Sequence, residues 1–263
     1  MKINKLTITV GLFCLLSTVY CSLFTVHCPL AFAANTTSDW EDYQKSGHHN
    51  LKWDPYIESG FSAFDGGNFG PAEMFLQRAI ARGCDDGLVY AKIGTYYETQ
   101  KNYKKAVDYY KKAAKKLSKQ YPKNQTTRSI DEWTGRVLFT MGSQEESIPY
   151  LLKALEYREG FLPLYFLGQI YRDRGELDKT ILYYGRALKA EHPEGTPPSV
   201  DILIMTELGT IYHNMKSEDM ALEWFNRILA IDPANQIANS YKAEYDRKKY
   251  KEEERRVLEE IVK

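Results

Sequence analysis

Cysteine is scarce in this chain, with four among 263 residues. Three of them, Cys14, Cys21 and Cys28, fall in one N-terminal apolar stretch, so beyond it Cys84 stands alone. The rest of the chain therefore holds no internal disulfide pair. An excess of one charge is missing too: Lys and Arg number 35, Asp and Glu number 35. No basic surplus points to nucleic acid, and no acidic surplus points to a disordered tail. Histidines number five, and the pair His48–His49 has no further ligand nearby to complete a metal site. The glycine-rich Asp65-Gly66-Gly67-Asn68-Phe69-Gly70 fits neither the dinucleotide fingerprint nor the phosphate-binding loop, and no strand precedes it. No Ser/His/Asp or Cys/His arrangement stands out, and no distinctive motif pairs two carboxylates. The sequence thus names no catalytic residue, no cofactor and no metal ligand.

Hydrophobic residues make up 43% of the chain and charged residues 27%, a globular composition with material for a sizeable core. The long hydrophobic run is at the N-terminus. Lys2 and Lys5 precede an uncharged stretch from Leu6 to Leu30, and Ala31-Phe32-Ala33 supplies a small-x-small cleavage pattern. Residues 1–33 read as a secretory signal peptide cleaved before Ala34, with a periplasmic destination. The alternative is an uncleaved anchor over residues 6–28, long enough to span a bilayer, and only then would the protein contact a membrane. Removing the two leader lysines leaves 33 basic against 35 acidic residues, a mature net charge of −2. Residues 34–52 read as a polar linker.

The remainder is periodic. Tyr90, Ile93, Gly94 and Tyr97 share one helical face, and Tyr103, Ala106, Tyr110 and Ala113 share another after a turn at Lys101-Asn102. The charged residues between them, Lys92 among them, suit solvent. The pair reads as an αα-hairpin with Gly94 and Ala106 at its closest approach. The same spacing returns with Tyr56, Gly60 and Ala63 followed by Ala72 and Leu76, and with Gly135 and Leu138 followed by Ser147 and Leu151. It returns again with Leu164, Leu167, Gly168 and Tyr171 followed by Tyr184 and Ala187, and with Met205, Leu208, Gly209 and Tyr212 followed by Ala221, Phe225 and Pro233. In the third unit Ser143-Gln144-Glu145-Glu146 fits a capping box, and Pro149 should kink the second helix or delay its start.

A period of about 34 residues with aromatic-x2-Leu-Gly-x2-Tyr, Ala-x3-Phe and a later Pro resembles the tetratricopeptide repeat family. The resemblance covers Trp53 to Pro233. It implies an all-α, right-handed α-solenoid of about five helix-turn-helix repeats, at about 53–86, 87–120, 128–160, 161–193 and 202–235. Residues 234–263 then form a capping helix and a charged helical tail.

The resemblance also implies that first helices line a concave groove holding partner peptides or helices. By that rule the groove draws on Ile57, Phe61 and Phe64, then Ala91, Thr95 and Glu98, then Glu132, Arg136 and Phe139. Tyr165, Gln169 and Arg172 follow, and then Thr206, Thr210, His213 and Asn214. Phe61, Phe64, Arg136, Phe139, Tyr165, Gln169, Arg172, His213 and Asn214 are the candidate partner contacts, and Arg136 and Arg172 could hold an acidic group. The expected function is a non-catalytic exported scaffold for a protein or peptide partner, with no nucleic acid. The alternative is a self-associating component of an envelope or secretion assembly.

Overall fold

The computed structural model describes residues 36–262. The leader, the alternative anchor and the cleavage position lie outside the described residues. Among the described residues twelve helices follow one another: α1 (Thr36–Lys45), α2 (Asp54–Asp65), α3 (Phe69–Ala81), α4 (Gly87–Thr99), α5 (Tyr103–Gln120), α6 (Gln125–Thr140), α7 (Gln144–Tyr157), α8 (Phe161–Asp173), α9 (Leu177–Ala187), α10 (Ser199–Asn214), α11 (Glu218–Ile231) and α12 (Gln236–Ile261). The β structure among the described residues is one isolated bridge, Gly160 to Glu191. The fold is an all-α solenoid: α2/α3, α4/α5, α6/α7, α8/α9 and α10/α11 pair as five hairpins, and each packs on the next.

One turn is used five times. Two residues past the end of each first helix the backbone enters the left-handed region, at Gly67, Lys101, Gly142, Gly175 and Lys216, with φ of 75, 57, 79, 72 and 62°. The next amide then donates back to a carbonyl five residues earlier: Asn68 to Ala63, Asn102 to Tyr97, Ser143 to Leu138, Glu176 to Tyr171 and Ser217 to Tyr212, all at 2.8–2.9 Å. This is the Schellman closure, and it satisfies carbonyls that a helix end would leave open. Glycine suits the position in three turns; two lysines occupy it in the others.

One packing contact is also used five times. Each first-helix glycine lies against a large side chain sixteen positions later on the second helix: Gly60 with Leu76, Gly94 with Tyr110, Gly135 with Leu151, Gly168 with Tyr184 and Gly209 with Phe225. A methyl group at Gly94 would stand 2.5 Å from Tyr110 Cδ1. The close approach expected between Gly94 and Ala106 is therefore more specific than two small residues meeting. The missing Cβ makes room for an aromatic or leucine side chain, and Tyr110, Tyr184 and Leu151 are fully buried there.

The apolar core runs through the stack in contiguous clusters, one over the first three hairpins, one from the third to the fifth, and one beneath α12. α12 covers the last hairpin with Ala238 and with Tyr241, whose ring centroid lies 4.3 Å from that of Phe225. From Asp246 onward it is exposed.

Several local expectations change. The third and fifth hairpins begin at Gln125 and Ser199, a little earlier than the repeat pattern marks them, because Asn124 caps α6 by accepting from the Thr126 amide at 2.6 Å and Pro198 opens α10. α7 starts at Gln144 and includes Pro149, so its start is not delayed. Ser143 occupies the N-cap position of α7 but makes no side-chain cap, whereas Asn102 at the equivalent place caps α5 by accepting from the Lys105 amide. Asn68, with the same post-turn backbone, makes no side-chain cap either. The largest change is in the polar stretch 34–52. Ten of its residues form α1, held against the first helices of three hairpins, because Asp39, Trp40 and Tyr43 find buried partners there.

Candidate functional site

The first helices α2, α4 and α6 present a mixed apolar and polar face, and α1 lies on it. Phe61 and Phe64 of α2 form its floor, and Lys92 of α4 reaches over both rings, 4.9 and 4.5 Å from their centroids. Lys92 is 4% exposed. A lysine ammonium so far from water needs charge partners. It has Asp39 of α1 at 3.3 Å and Asp65 of α2 at 3.9 Å.

The Asp39 carboxylate collects further donors. The Thr126 hydroxyl approaches its two oxygens at 2.9 and 3.2 Å, and the Asn124 amide donates at 3.0 Å. The same amide nitrogen donates to Asp42 at 2.7 Å. Tyr43 is fully buried, packs on Phe61 and donates its hydroxyl to Asp54 at 2.6 Å. Burial, with Asp54 beside it, pushes the Tyr43 phenol well above its ordinary range. Trp40 meets Phe61 edge-on with centroids 6.0 Å apart.

The chain after α1 is held as well. His48 lies 3.5 Å from Asp86, and His49 3.6 Å from Asp54. Asp86 caps α4 by accepting from the Leu88 and Val89 amides and takes the Tyr121 hydroxyl. Burial raises the Asp86 carboxyl above the usual carboxylate range despite those donors. Among the described residues no group of three or more His, Cys, Asp or Glu side chains could hold a metal. Cys84 is buried, and desolvation followed by the Asp86 charge lifts its thiol to about 12.

Beside α1 the same face opens into a cavity of about 330 Å³. Four successive first helices line it: Phe64 from α2, Lys92 and Thr95 from α4, Glu132 and Trp133 from α6, Phe161 and Leu162 from α8. Asp39 and the 191–194 loop line it as well. That loop is pinned by His192, whose ring stacks 4.2 Å from Phe161 and bonds Asp201 at 2.8 Å. Glu132 lies inside this cavity. Burial raises its carboxyl, and the nearby Arg136 and Arg158 charges only partly offset that.

Both arginines singled out in the sequence hold an acidic group, and in both cases it belongs to the chain. Arg136 pairs with Glu98 through both terminal nitrogens, and Glu98 also accepts the Tyr110 hydroxyl at 2.7 Å. Arg172 bonds Glu207 at 3.1 Å and Asp173 at 2.8 Å. Each pair ties the first helices of adjacent hairpins. Phe139 is buried against Phe166, and the Gln169 amide donates to the buried Tyr165 hydroxyl at 2.6 Å. Phe61 and Phe64 are buried under α1 and Lys92. His213 and Asn214 are exposed at the end of α10, with the His213 ring edge-on to Tyr241. Of the wider first-helix set, Phe64, Ala91, Thr95 and Glu132 come together around the cavity. Lys92, Asn124, Thr126 and Asp39 were not among the candidates: Lys92 reads as a solvent-facing lysine, and the others read as linker and loop.

A family profile described as tetratricopeptide repeat matches residues 88–115 and 204–235. Over those two segments the chain carries tetratricopeptide repeats. The two matched segments fall on the second and fifth hairpins, which carry the Gly94–Tyr110 and Gly209–Phe225 contacts. Among curated proteins, none matches in sequence. Solved structures of other repeat proteins share the fold. YrrB, described as a TPR protein with an unusual peptide-binding site, is 18% identical with a TM-score of 0.56, over 78% of this chain and 97% of that one. MamA from Desulfovibrio magneticus RS-1, from residue 41 to its end, is 18% identical with a TM-score of 0.53, over 71% of this chain and 98% of that one. A further MamA structure gives 19% identity and a TM-score of 0.54 over 74% and 95%.

Proposed function

We propose that this tetratricopeptide-repeat protein is a non-catalytic scaffold that seats a segment of another protein against its first-helix groove. The observation that carries this is the cavity lined by α2, α4, α6 and α8 together. Four repeats contribute to one opening, aromatic side chains of Phe64, Trp133 and Phe161 sit beside polar ones, and such a mixture suits anchoring a side chain of a partner. YrrB, of the same fold, has a peptide-binding site by its own description; here the analogy extends to the kind of ligand. The N-terminal leader supports export to the periplasm, with a mature chain beginning at Ala34.

The experiment is site-specific photo-crosslinking in the producing cells, from Ser129 on the cavity wall and from Lys112 on the exposed face of α5. Partner adducts from Ser129 and none from Lys112 are expected. Adducts from Lys112 alone would overturn the reading.

A second reading is self-association through α12. Tyr250, Leu258, Ile261 and Val262 are 57–85% exposed on its tail. Sedimentation over a wide concentration range separates the two, since a monomer throughout removes self-association.

A further inference from the structure

The first-helix face already has an occupant, and its chemistry shows what that face recognises. α1 brings a carboxylate, Asp39, followed at the next position by Trp40 and at the fourth by Tyr43. The receiving residues come from separate repeats. Lys92 belongs to α4, Thr126 to α6 and Asn124 to the cap of α6, while Phe61 of α2 receives both aromatic rings. None of these residues is near α1 in sequence, so the fit is tertiary. Lys92, Asn124 and Thr126 are each more than nine-tenths buried in its presence. They form a cation, an amide and a hydroxyl converging on one carboxylate over an aromatic floor.

α1 is a weak occupant by its own length. A helix of ten residues is marginal in water and depends on docking. It also leaves part of the face uncovered: the cavity shares Asp39, Lys92 and Thr126 with it and is lined as well by Thr95, Ser129 and the 191–194 loop. A longer segment repeating the contacts of α1 would gain that further surface.

We propose that Lys92, Asn124, Thr126 and Phe61 form a recognition site for an acidic–aromatic helical segment of a partner protein, with α1 as its tethered competitor. This rests on the reading of the first-helix groove as the partner-binding face. A carboxylate that loses water needs the ammonium and the two donors, and they are strongest in this dry setting. The tether holds α1 at high effective concentration, so an outside segment binds fully only when α1 is released.

The test uses a fluorescent peptide with the sequence of residues 34–46, titrated by anisotropy against the full chain and against its Asp39→Ala/Trp40→Ala/Tyr43→Ala variant. Binding at least about tenfold tighter to the variant is expected. Adding Lys92→Met to that variant should remove the gain, and a peptide carrying Asp39→Lys and Asp42→Lys should bind neither protein. If the triple variant does not fold by circular dichroism, Asp39→Lys alone, which sets like charges together, is the second releasing variant. A folded, released protein that ignores the peptide overturns the proposal, as does equal binding of the charge-swapped peptide. Concentration-dependent dimers that exchange α1 would overturn it in favour of a second copy of this chain. If Ser129 still crosslinks a partner while the peptide fails, this proposal falls and the scaffold reading stands; if Ser129 captures nothing either, both fall.

Discussion

The Lys92 ammonium sits 3.3 Å from the Asp39 carboxylate, with both side chains close to nine-tenths buried or more. Among the ion pairs of the chain, few share that depth. The Lys45–Glu41 and Arg255–Glu259 pairs are exposed, and pairs of that kind contribute little. Breaking a buried pair by removing one partner costs about 3–5 kcal/mol because the other charge is stranded. Here the stranded group has an escape, since α1 can leave.

Lys92→Met is therefore expected to act locally. α1 undocks, and the loss to the rest of the fold stops at its docking energy. Limited proteolysis should cut between Ser46 and Trp53 at least about tenfold faster than in the parent, since 1.4 kcal/mol is tenfold in population. Asp39→Asn should do less, because Asp65 remains 3.9 Å from Lys92 and the amide can still accept from Thr126. Equal cleavage of all three proteins contradicts this.

The repeated glycine contact sets a ranking. Gly94→Ala and Gly168→Ala would drive a methyl into the rings of Tyr110 and Tyr184, which are fully buried and cannot swing aside. Each should cost about 1–3 kcal/mol in urea unfolding. At Gly209 the nearest ring atom of Phe225 is 3.0 Å from such a methyl. The gain of about 1 kcal/mol in helix propensity then offsets most of the strain. Gly209→Ala as costly as Gly168→Ala would contradict the packing account.

The repeated turn sets another. Lys101 and Lys216 hold left-handed backbone with exposed side chains, where three other turns use glycine. Lys101→Gly and Lys216→Gly should each raise stability by about 1 kcal/mol. A loss in both would show that the lysines hold the turns in some other way.

Acidity gives a further expectation. Burial raises the Glu132 carboxyl, with Arg136 and Arg158 opposing. The folded state therefore favours the protonated acid. Its contribution is fully present below the unfolded value of about 4.3 and is lost as pH rises through the folded value. Glu132→Gln removes a charge that the cavity disfavours. It should be more stable than the parent at neutral pH, with the difference shrinking as pH falls through the folded value and gone below about 4.3. A variant less stable than the parent at neutral pH would mean that Glu132 serves Arg136 and Arg158 more than it suffers from burial.

The repeats were legible because each carries its own record. Gly94 and Tyr97, Gly168 and Tyr171, and Gly209 and Tyr212 keep one phase, and that phase is enough to predict stacked hairpins. α1 was not legible because its record is split. Trp40 and Tyr43 make a stripe too short to mark a helix, and Asp39 is one polar residue among many until Lys92 and Thr126 are placed beside it. Lys92 itself follows the solvent-facing pattern of its helix and becomes buried only when α1 covers it. Arg136 and Arg172 were read as partner contacts for an acidic group; their pairing with Glu98 and Glu207 was not legible, because those residues come from neighbouring repeats whose register the sequence does not fix. The cavity needs four helices at once, so Phe64, Thr95 and Glu132 could be placed on a common face while its closure by the 191–194 loop could not.

Hydrogen exchange of the backbone amides from Trp40 to Lys45, followed by mass spectrometry on the full chain, addresses the docking of α1 most directly. Protection well beyond that of an isolated ten-residue helix is expected in the parent, together with its loss in Lys92→Met while α2 to α11 stay protected. Exchange of these amides at the unprotected rate in the parent, with the hairpins intact, would contradict the account.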